Sequence, residues 1–146
     1  MINTRLLELR EYNFLLQKDI AKVLNIDRST YSTWETHLKI IPLKHLNVLA
    51  NYYDTSMDYI LGLTSKKKKY KKLDKLDKQI IGNNIRKLRS DNNLTLRDLA
   101  KVLNTTSSTI SAYETGKTLL LTAFAIEIAK KNHISIDELC GREKIN

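Results

Sequence analysis

The segment QKDIAKVLNIDRSTYSTWET at residues 17–36 recurs as LRDLAKVLNTTSSTISAYET at 96–115, 79 positions later and without a gap. The register extends in both directions. Leu9-Arg10 pairs with Leu88-Arg89, Ala50 with Ala129, Ser56 with Ser135, Asp58 with Asp137 and Gly62 with Gly141. About a third of the positions agree between 5–62 and 84–141. Unrelated residues of ordinary composition would match at roughly one position in fifteen to twenty. The 146 residues are therefore two copies of one domain of about 60 residues, close to the smallest size that supports its own core.

The distribution of charge sharpens that division. Of a net charge of +9, residues 1–62 contribute nothing, 63–80 contribute +6 and 81–146 contribute +3. A run such as SKKKKYKKLDKLDK repels itself and has little apolar surface to bury. It predicts a lysine-rich linker over 64–79, between a first domain at 1–63 and a second at 80–146. Leu73, Leu76 and Ile80 fall at i, i+3 and i+7, so part of the linker is expected to be helical. One cysteine, Cys140, cannot make an internal disulfide, which excludes a stapled secreted scaffold and fits a reducing compartment. The N-terminal MINTRLLELREYNFLL lacks a signal-peptide layout, and no run of roughly 18 apolar residues is present. A cytoplasmic protein with no membrane contact is expected.

Apolar spacing within each copy is helical. Ile2, Leu6, Leu9 and Tyr12 share one face of a first helix, and Ile20, Ala21, Val23 and Leu24 share one of a second. Tyr31 and Trp34 point inward from a third. Leu43, Leu46, Leu49 and Ala50 line a fourth, which Pro42 can begin because its missing N–H is not needed there. Ser56 or Asp58 opens a short fifth helix that ends at Gly62. The second copy repeats the pattern, so the fold class is all-α, two tandem five-helix bundles. Between the second and third helices, Asn25 and Asn104 suit a left-handed turn residue. Asp27 and Thr106 suit the N-cap of the helix that follows. Ala21 and Ala100 are small where two helices must approach. This is a helix–turn–helix, whose second helix can enter a DNA major groove.

The motif Gln17-x-Asp19-Ile20-Ala21-x-x-Leu24-Asn25, with Trp34-Glu35 after it and LANYYDTSMDYILGLT in the tail, resembles the Xre family of Cro/repressor-type proteins. Both copies carry the resemblance. It implies a lambda-repressor-like fold, binding of double-stranded DNA and, usually, transcriptional control by operator occupancy. It also implies an Arg ending helix one that meets a Glu ending helix three, hence the ion pairs Arg10–Glu35 and Arg89–Glu114. The chain departs from the pattern in places. Leu96 replaces the phosphate-contacting Gln17, His37 replaces the usual Gly that Gly116 keeps, and Leu121 replaces Pro42.

With Tyr31 and Trp34 inward, helix 28–36 presents Arg28, Ser29, Ser32 and Thr33 to the groove. Helix 107–115 presents Ser107, Ser108, Ser111 and Ala112. Arg28 can fork to a guanine or swing to phosphate; the small hydroxyls and methyl of the second copy can touch bases or let the helix sit deep. Backbone contacts are expected from Gln17, Lys18, Lys39 and Lys44, and from Arg97, Lys117 and Thr118. Lys66, Lys67, Lys68, Lys69, Lys71 and Lys72 read either as a solvated linker or as a non-specific phosphate arm. Lys22 and Lys101 match, with no role evident from their helical phase.

His37, His45 and His133 lack metal-ligand spacing, and no Gly-rich phosphate loop or catalytic set is readable, so no metal, cofactor or enzymatic activity is expected. Cys140 aligns with Leu61, an apolar slot. The alternative to a two-headed regulator, a repressor, is a protein-interaction, dimerisation or antitoxin-like module in which only one copy binds DNA. That version allows a homodimer or a protein partner, with Tyr52, Tyr53, Tyr59 and Leu63 supplying an apolar surface.

Overall fold

The computed structural model describes residues 2–145, and among them every regular element is a helix. The chain forms two compact units. The first contains α1 (Leu6–Tyr12), α2 (Gln17–Leu24), α3 (Arg28–Glu35), α4 (Leu43–Tyr52) and α5 (Met57–Ile60). The second contains α6 (Lys78–Asp91), α7 (Leu96–Val102), α8 (Ser107–Glu114), α9 (Thr122–Lys131) and α10 (Ile136–Leu139). Each is the five-helix bundle that the apolar spacing requires.

In the first unit Leu6, Ile20, Tyr31, Leu43, Leu46, Leu49 and Ile60 are sealed from solvent. In the second Ile81, Ile85, Ile110, Ala125, Ile136, Leu139 and Cys140 take the same role. Trp34 and Tyr113 are core residues, and the Trp34 ring lies 5.3 Å from that of His45. Ser56 and Ser135 cap the last helices by accepting from Tyr59 N–H and Glu138 N–H. Gly62, with φ +75°, then takes the left-handed conformation that ends the first unit's bundle.

The two first helices differ. α6 has fourteen residues and is capped by Asp77, whose carboxylate accepts from Gln79 and Ile80 N–H. α1 has seven and starts at Leu6, so Ile2 lies outside the helix on which its spacing placed it. The reason is local. Arg5 N–H donates to Ile60 C=O at 2.7 Å, and the Asn3 carbonyl runs so close to Gly62 that no Cβ would fit. Chain held there cannot also coil. Tyr12 and Val23, expected inward, are exposed, as is Val102 in the second unit. Pro42 stands one residue before α4, and its carbonyl accepts from His45 and Leu46 N–H.

The largest departure concerns the lysine-rich segment. The first unit extends to Asp74 and takes in Lys144 and Ile145, while the second runs Lys75–Glu143. Residues 64–74 therefore group with the first unit while leading to the second. They carry no helix, but α6 begins at Lys78, inside the expected 64–79 segment. Tyr70 is buried and makes an isolated antiparallel bridge with Lys144, and Ile145 N–H donates to Lys69 C=O at 3.1 Å. Asn51 Nδ2 donates to Leu73 C=O at 2.7 Å and its Oδ1 accepts from Leu73 N–H at 3.3 Å. Asn47 Nδ2 donates to the same carbonyl at 2.8 Å. Composition favoured a solvated linker because the lysine side chains are indeed exposed. What it hid is that one aromatic and one backbone amide unit are enough to dock the strand beneath them.

Gly82 marks a close helix contact in the second unit. A Cβ on it would stand 2.5 Å from the carbonyl oxygens of both Tyr113 and Glu114. Gly82→Ala should destabilise that unit by about 1–3 kcal/mol, the range for overpacking a close contact. Urea unfolding followed by far-UV circular dichroism would show its transition move to lower denaturant while that of the first unit stays.

Candidate nucleic-acid interface

Both helix–turn–helix elements are built by the same backbone device. Asn25 (φ 56°) and Asn104 (φ 54°) are left-handed. The next residue reaches back over the turn: Ile26 N–H donates to Ala21 C=O at 3.0 Å, and Thr105 N–H to Ala100 C=O at 2.8 Å. Ala21 and Ala100 are buried at the crossing. The following caps differ. Thr106 Oγ1 accepts from Thr109 N–H, whereas Asp27 holds the N-cap position of α3 without a side-chain cap bond, leaving its carboxylate exposed.

The third helix of each unit is fixed by a buried carboxylate. Arg10 Nε and Nη2 donate to Glu35 at 2.7 and 3.0 Å, and Arg10 Nη1 donates to Leu15 C=O at 2.9 Å. Arg89 makes the same three bonds, to Glu114 at 2.7 and 3.0 Å and to Leu94 C=O at 2.9 Å. The Glu35 and Glu114 side chains are 4% and 1% exposed, so each pair sits in a low-dielectric place. Burial pushes the Glu35 carboxyl up, but hydrogen bonds from Arg10 and Gln17 outweigh it and hold the group below the usual carboxylate range. Bonding to the glutamate raises both arginines above their ordinary value.

The second donors to the two carboxylates are different residues. In the first unit Gln17 Nε2 donates to Glu35 at 3.0 Å, and Gln17 Oε1 accepts from Arg28 Nη1 at 3.1 Å. A polar chain thus runs from the buried Arg10 to the exposed Arg28. In the second unit Leu96 has no amide, and Arg86 donates to Glu114 at 3.3 Å instead.

Outward from these anchors lie the candidate reading positions. Arg28 and Ser29 are exposed and Ser32 and Thr33 half-buried; Ser107 and Ser108 are exposed and Ser111 and Ala112 half-buried. The helices end one residue earlier than 36 and 115, where Thr36 and Thr115 form the C-caps. Lys18, Lys39, Lys44, Arg97, Lys117 and Thr118 are all exposed. An open hollow in the second unit brings Arg97 and Lys101 beside Thr106 and Ser107. Lys101 was not readable as a site residue from its helical phase; its identity with Lys22 across the repeat was the available signal.

Around the first unit's helix, several positions are apolar where the second is polar. Phe14 (94% exposed), Leu16 and Leu38 stand where the repeat has Asn93, Thr95 and Lys117. Thr95 completes a capping box with Asp98; Leu16 offers α2 no side-chain oxygen. The apolar surface expected from Tyr52, Tyr53, Tyr59 and Leu63 is not assembled. Tyr59 is buried with the Arg5 guanidinium 4.1 Å from its ring centre, Tyr53 and Leu63 are half-buried, and only Tyr52 is largely open. In the lysine strap, Lys69 pairs with Asp54 at 3.2 Å and Lys67 lies 5.6 Å from the Tyr59 ring centre.

Residues 6–60 and 85–139 each match the family model HTH_3, described as helix-turn-helix. The chain belongs to this helix-turn-helix family. Sixty residues are 43% identical to the Bacillus subtilis (strain 168) protein named as the uncharacterized HTH-type transcriptional regulator YobD; the match takes in 41% of this chain and 54% of that protein. Two solved structures also align. One is the clp gene regulator ClgR of C. glutamicum, at 22% identity and a TM-score of 0.39, covering 44% of this chain and 83% of that one. The other is the restriction-modification controller protein C.AhdI of Aeromonas hydrophila, at 24% identity and 0.40, covering 43% and 96%. Among the described residues no helix is long and apolar enough to cross a membrane, and no group of three or more His, Cys, Asp or Glu could hold a metal ion.

Removing one partner of a buried ion pair costs about 3–5 kcal/mol, because the other charge is left unpaired. Glu114→Ala should cost the second unit that much in urea unfolding. Glu35, whose folded-state pKa is depressed, should stabilise the first unit fully above its ordinary value of 4.5 and progressively lose that contribution as pH falls through the lower folded-state value. Urea midpoints measured from pH 7 to pH 3 should fall less steeply in Glu35→Gln.

Proposed function

We infer that this chain is a sequence-specific double-stranded DNA-binding transcriptional regulator, a repressor that works by occupying its operator with α3 and α8. The observation that carries this reading is the repetition of a complete helix–turn–helix. In both copies a buried arginine–glutamate pair anchors the third helix while its outer face stays short, polar and open. The similarity to a protein named as a transcriptional regulator supports it.

Arg28, Ser29, Ser32 and Thr33 would read bases in one half-site, and Ser107, Ser108, Ser111 and Ala112 in an unlike one. Gln17, Lys18, Lys39 and Lys44, and Arg97, Lys117 and Thr118, would contact phosphates, with Lys101 joining the second set. The second unit is the stronger binder in this reading. Its hollow holds Arg97 and Lys101 with Thr106, where the first unit has the carboxylate of Asp27. Exposed Lys66, Lys68 and Lys72 on the strap add attraction without sequence preference.

The interaction-module reading is favoured by one observation, the exposed Phe14, Leu16 and Leu38 beside α3. The two readings separate in one experiment. Genomic fragments are selected by purified protein at about 150 mM salt, and fluorescence anisotropy is then run on the enriched sites. A regulator enriches a few sites. Arg97→Ala/Lys117→Ala should weaken binding to all of them evenly and flatten the salt dependence by about 0.9 per lost contact. Lys18→Ala/Lys39→Ala should do less. Lys66→Ala/Lys68→Ala/Lys72→Ala should flatten the salt slope without changing which sites are chosen. No enriched site, with binding that fades evenly as salt rises, would overturn the regulator reading.

A further inference from the structure

The second unit contains a cavity of about 260 Å³ between α6, α7 and α9. Ile85, Leu88, Leu99, Val102, Leu103 and Ile128 wall it, and Arg89, Lys131 and Asn132 also line it. The repeat explains why it is there. Asn132 stands where the first unit has Tyr53, and Lys131 where it has Tyr52. Tyr53 is half-buried and its hydroxyl is buried completely. Burial raises its pKa, and the charges of Tyr52 and Glu35 add to the rise while Arg10 opposes it. The matching pair in the second unit is Arg89–Glu114, and Arg89 borders the cavity. Asn132 cannot fill the space of a phenol. Its amide folds back instead, donating to Ile128 C=O at 2.8 Å and accepting from Asn92 Nδ2 at 2.8 Å.

We propose that this cavity is a binding site for a single-ring aromatic carboxylate of the benzoate class. The ring lies between the branched apolar walls, at the position where the repeat carries Asn132 in place of Tyr53. The carboxylate pairs with Lys131, an exposed residue that borders the cavity, while Arg89 is already held by Glu114. No acidic side chain lines the cavity, so an anion enters unopposed and a cation does not. A mostly apolar cavity that opens to solvent at one side admits a ring without needing a rearranged backbone. The site is independent of whether the chain binds DNA.

The test uses the full chain with methyl-labelled Ile, Leu and Val, titrated with sodium benzoate, phenol and benzylamine to about 10 mM, the range of a weak single-ring ligand. Benzoate should move the methyl signals of Leu88, Leu99 and Val102 in a saturable way, with phenol weaker and benzylamine roughly tenfold weaker or more. Lys131→Glu should weaken benzoate by about tenfold. Asn132→Tyr, which restores the first unit's filling, should abolish the shifts. Val102→Phe is the second filling variant, at a position open enough to solvent to tolerate the ring, and should do the same. Methyl signals unmoved by all three compounds would overturn the site. So would benzoate shifts that persist in both filled variants, and equal binding of benzoate and benzylamine would overturn its anionic character.

Discussion

A carboxylate buried at the end of the third helix organises each half of this protein. A lone ionised glutamate in such a place would be expelled or protonated. Here the guanidinium that ends the first helix grips both oxygens and turns a third donor to the backbone carbonyl of the following turn. Three elements are thereby locked with one pair of side chains: the first helix, the turn after it, and the helix offered to a groove. The pair is costly to dehydrate and gives little net stability over an apolar substitute. What it supplies is direction, since a bidentate contact permits only one rotation of the third helix against the first.

Around that shared anchor the copies have diverged in complementary ways. The first supports its glutamate with Gln17 and passes the same amide on to Arg28. The second uses Arg86 from a longer first helix and leaves its reading face to small hydroxyls. Gly82 lets that longer helix pass against the carbonyls that end α8, whereas its counterpart Asn3 runs against Gly62. Where the first copy has the half-buried Tyr53, the second has Asn132 on the border of a cavity. The outer faces of α3 and α8 carry different side chains, Arg28, Ser29, Ser32 and Thr33 against Ser107, Ser108, Ser111 and Ala112.

Much of this was legible in the residues. The 79-residue offset carried the architecture, because identities at the turn asparagines, the crossing alanines and the anchoring arginines and glutamates are positions where backbone geometry leaves few alternatives. The local rules were weaker where tertiary contacts compete. Asp27 is an ordinary N-cap residue by type, yet it makes no cap bond. Ile2 has helical spacing, yet Arg5 and Asn3 are held by the end of the fifth helix. Lys101 sits at no obvious phase for contact, and only the hollow beside Thr106 places it among candidate site residues. The cavity was written in the change from Tyr53 to Asn132, but a missing ring becomes readable only when its neighbours are seen to stay in place.

The docked lysine strap changes how the molecule can be divided. By composition the first 62 residues are electrically neutral and the basic run is a tether. In the fold that run belongs to the first unit, which then holds fourteen basic residues against eight acidic ones, while the second keeps eleven against eight. A fragment cut at residue 63 would strip Tyr70 and Leu73 from their seats and open the faces of Asn47 and Asn51 that hold the strand. The charge is therefore carried on a scaffold whose conformational entropy has already been given up in folding, and it meets any polyanion as a fixed surface.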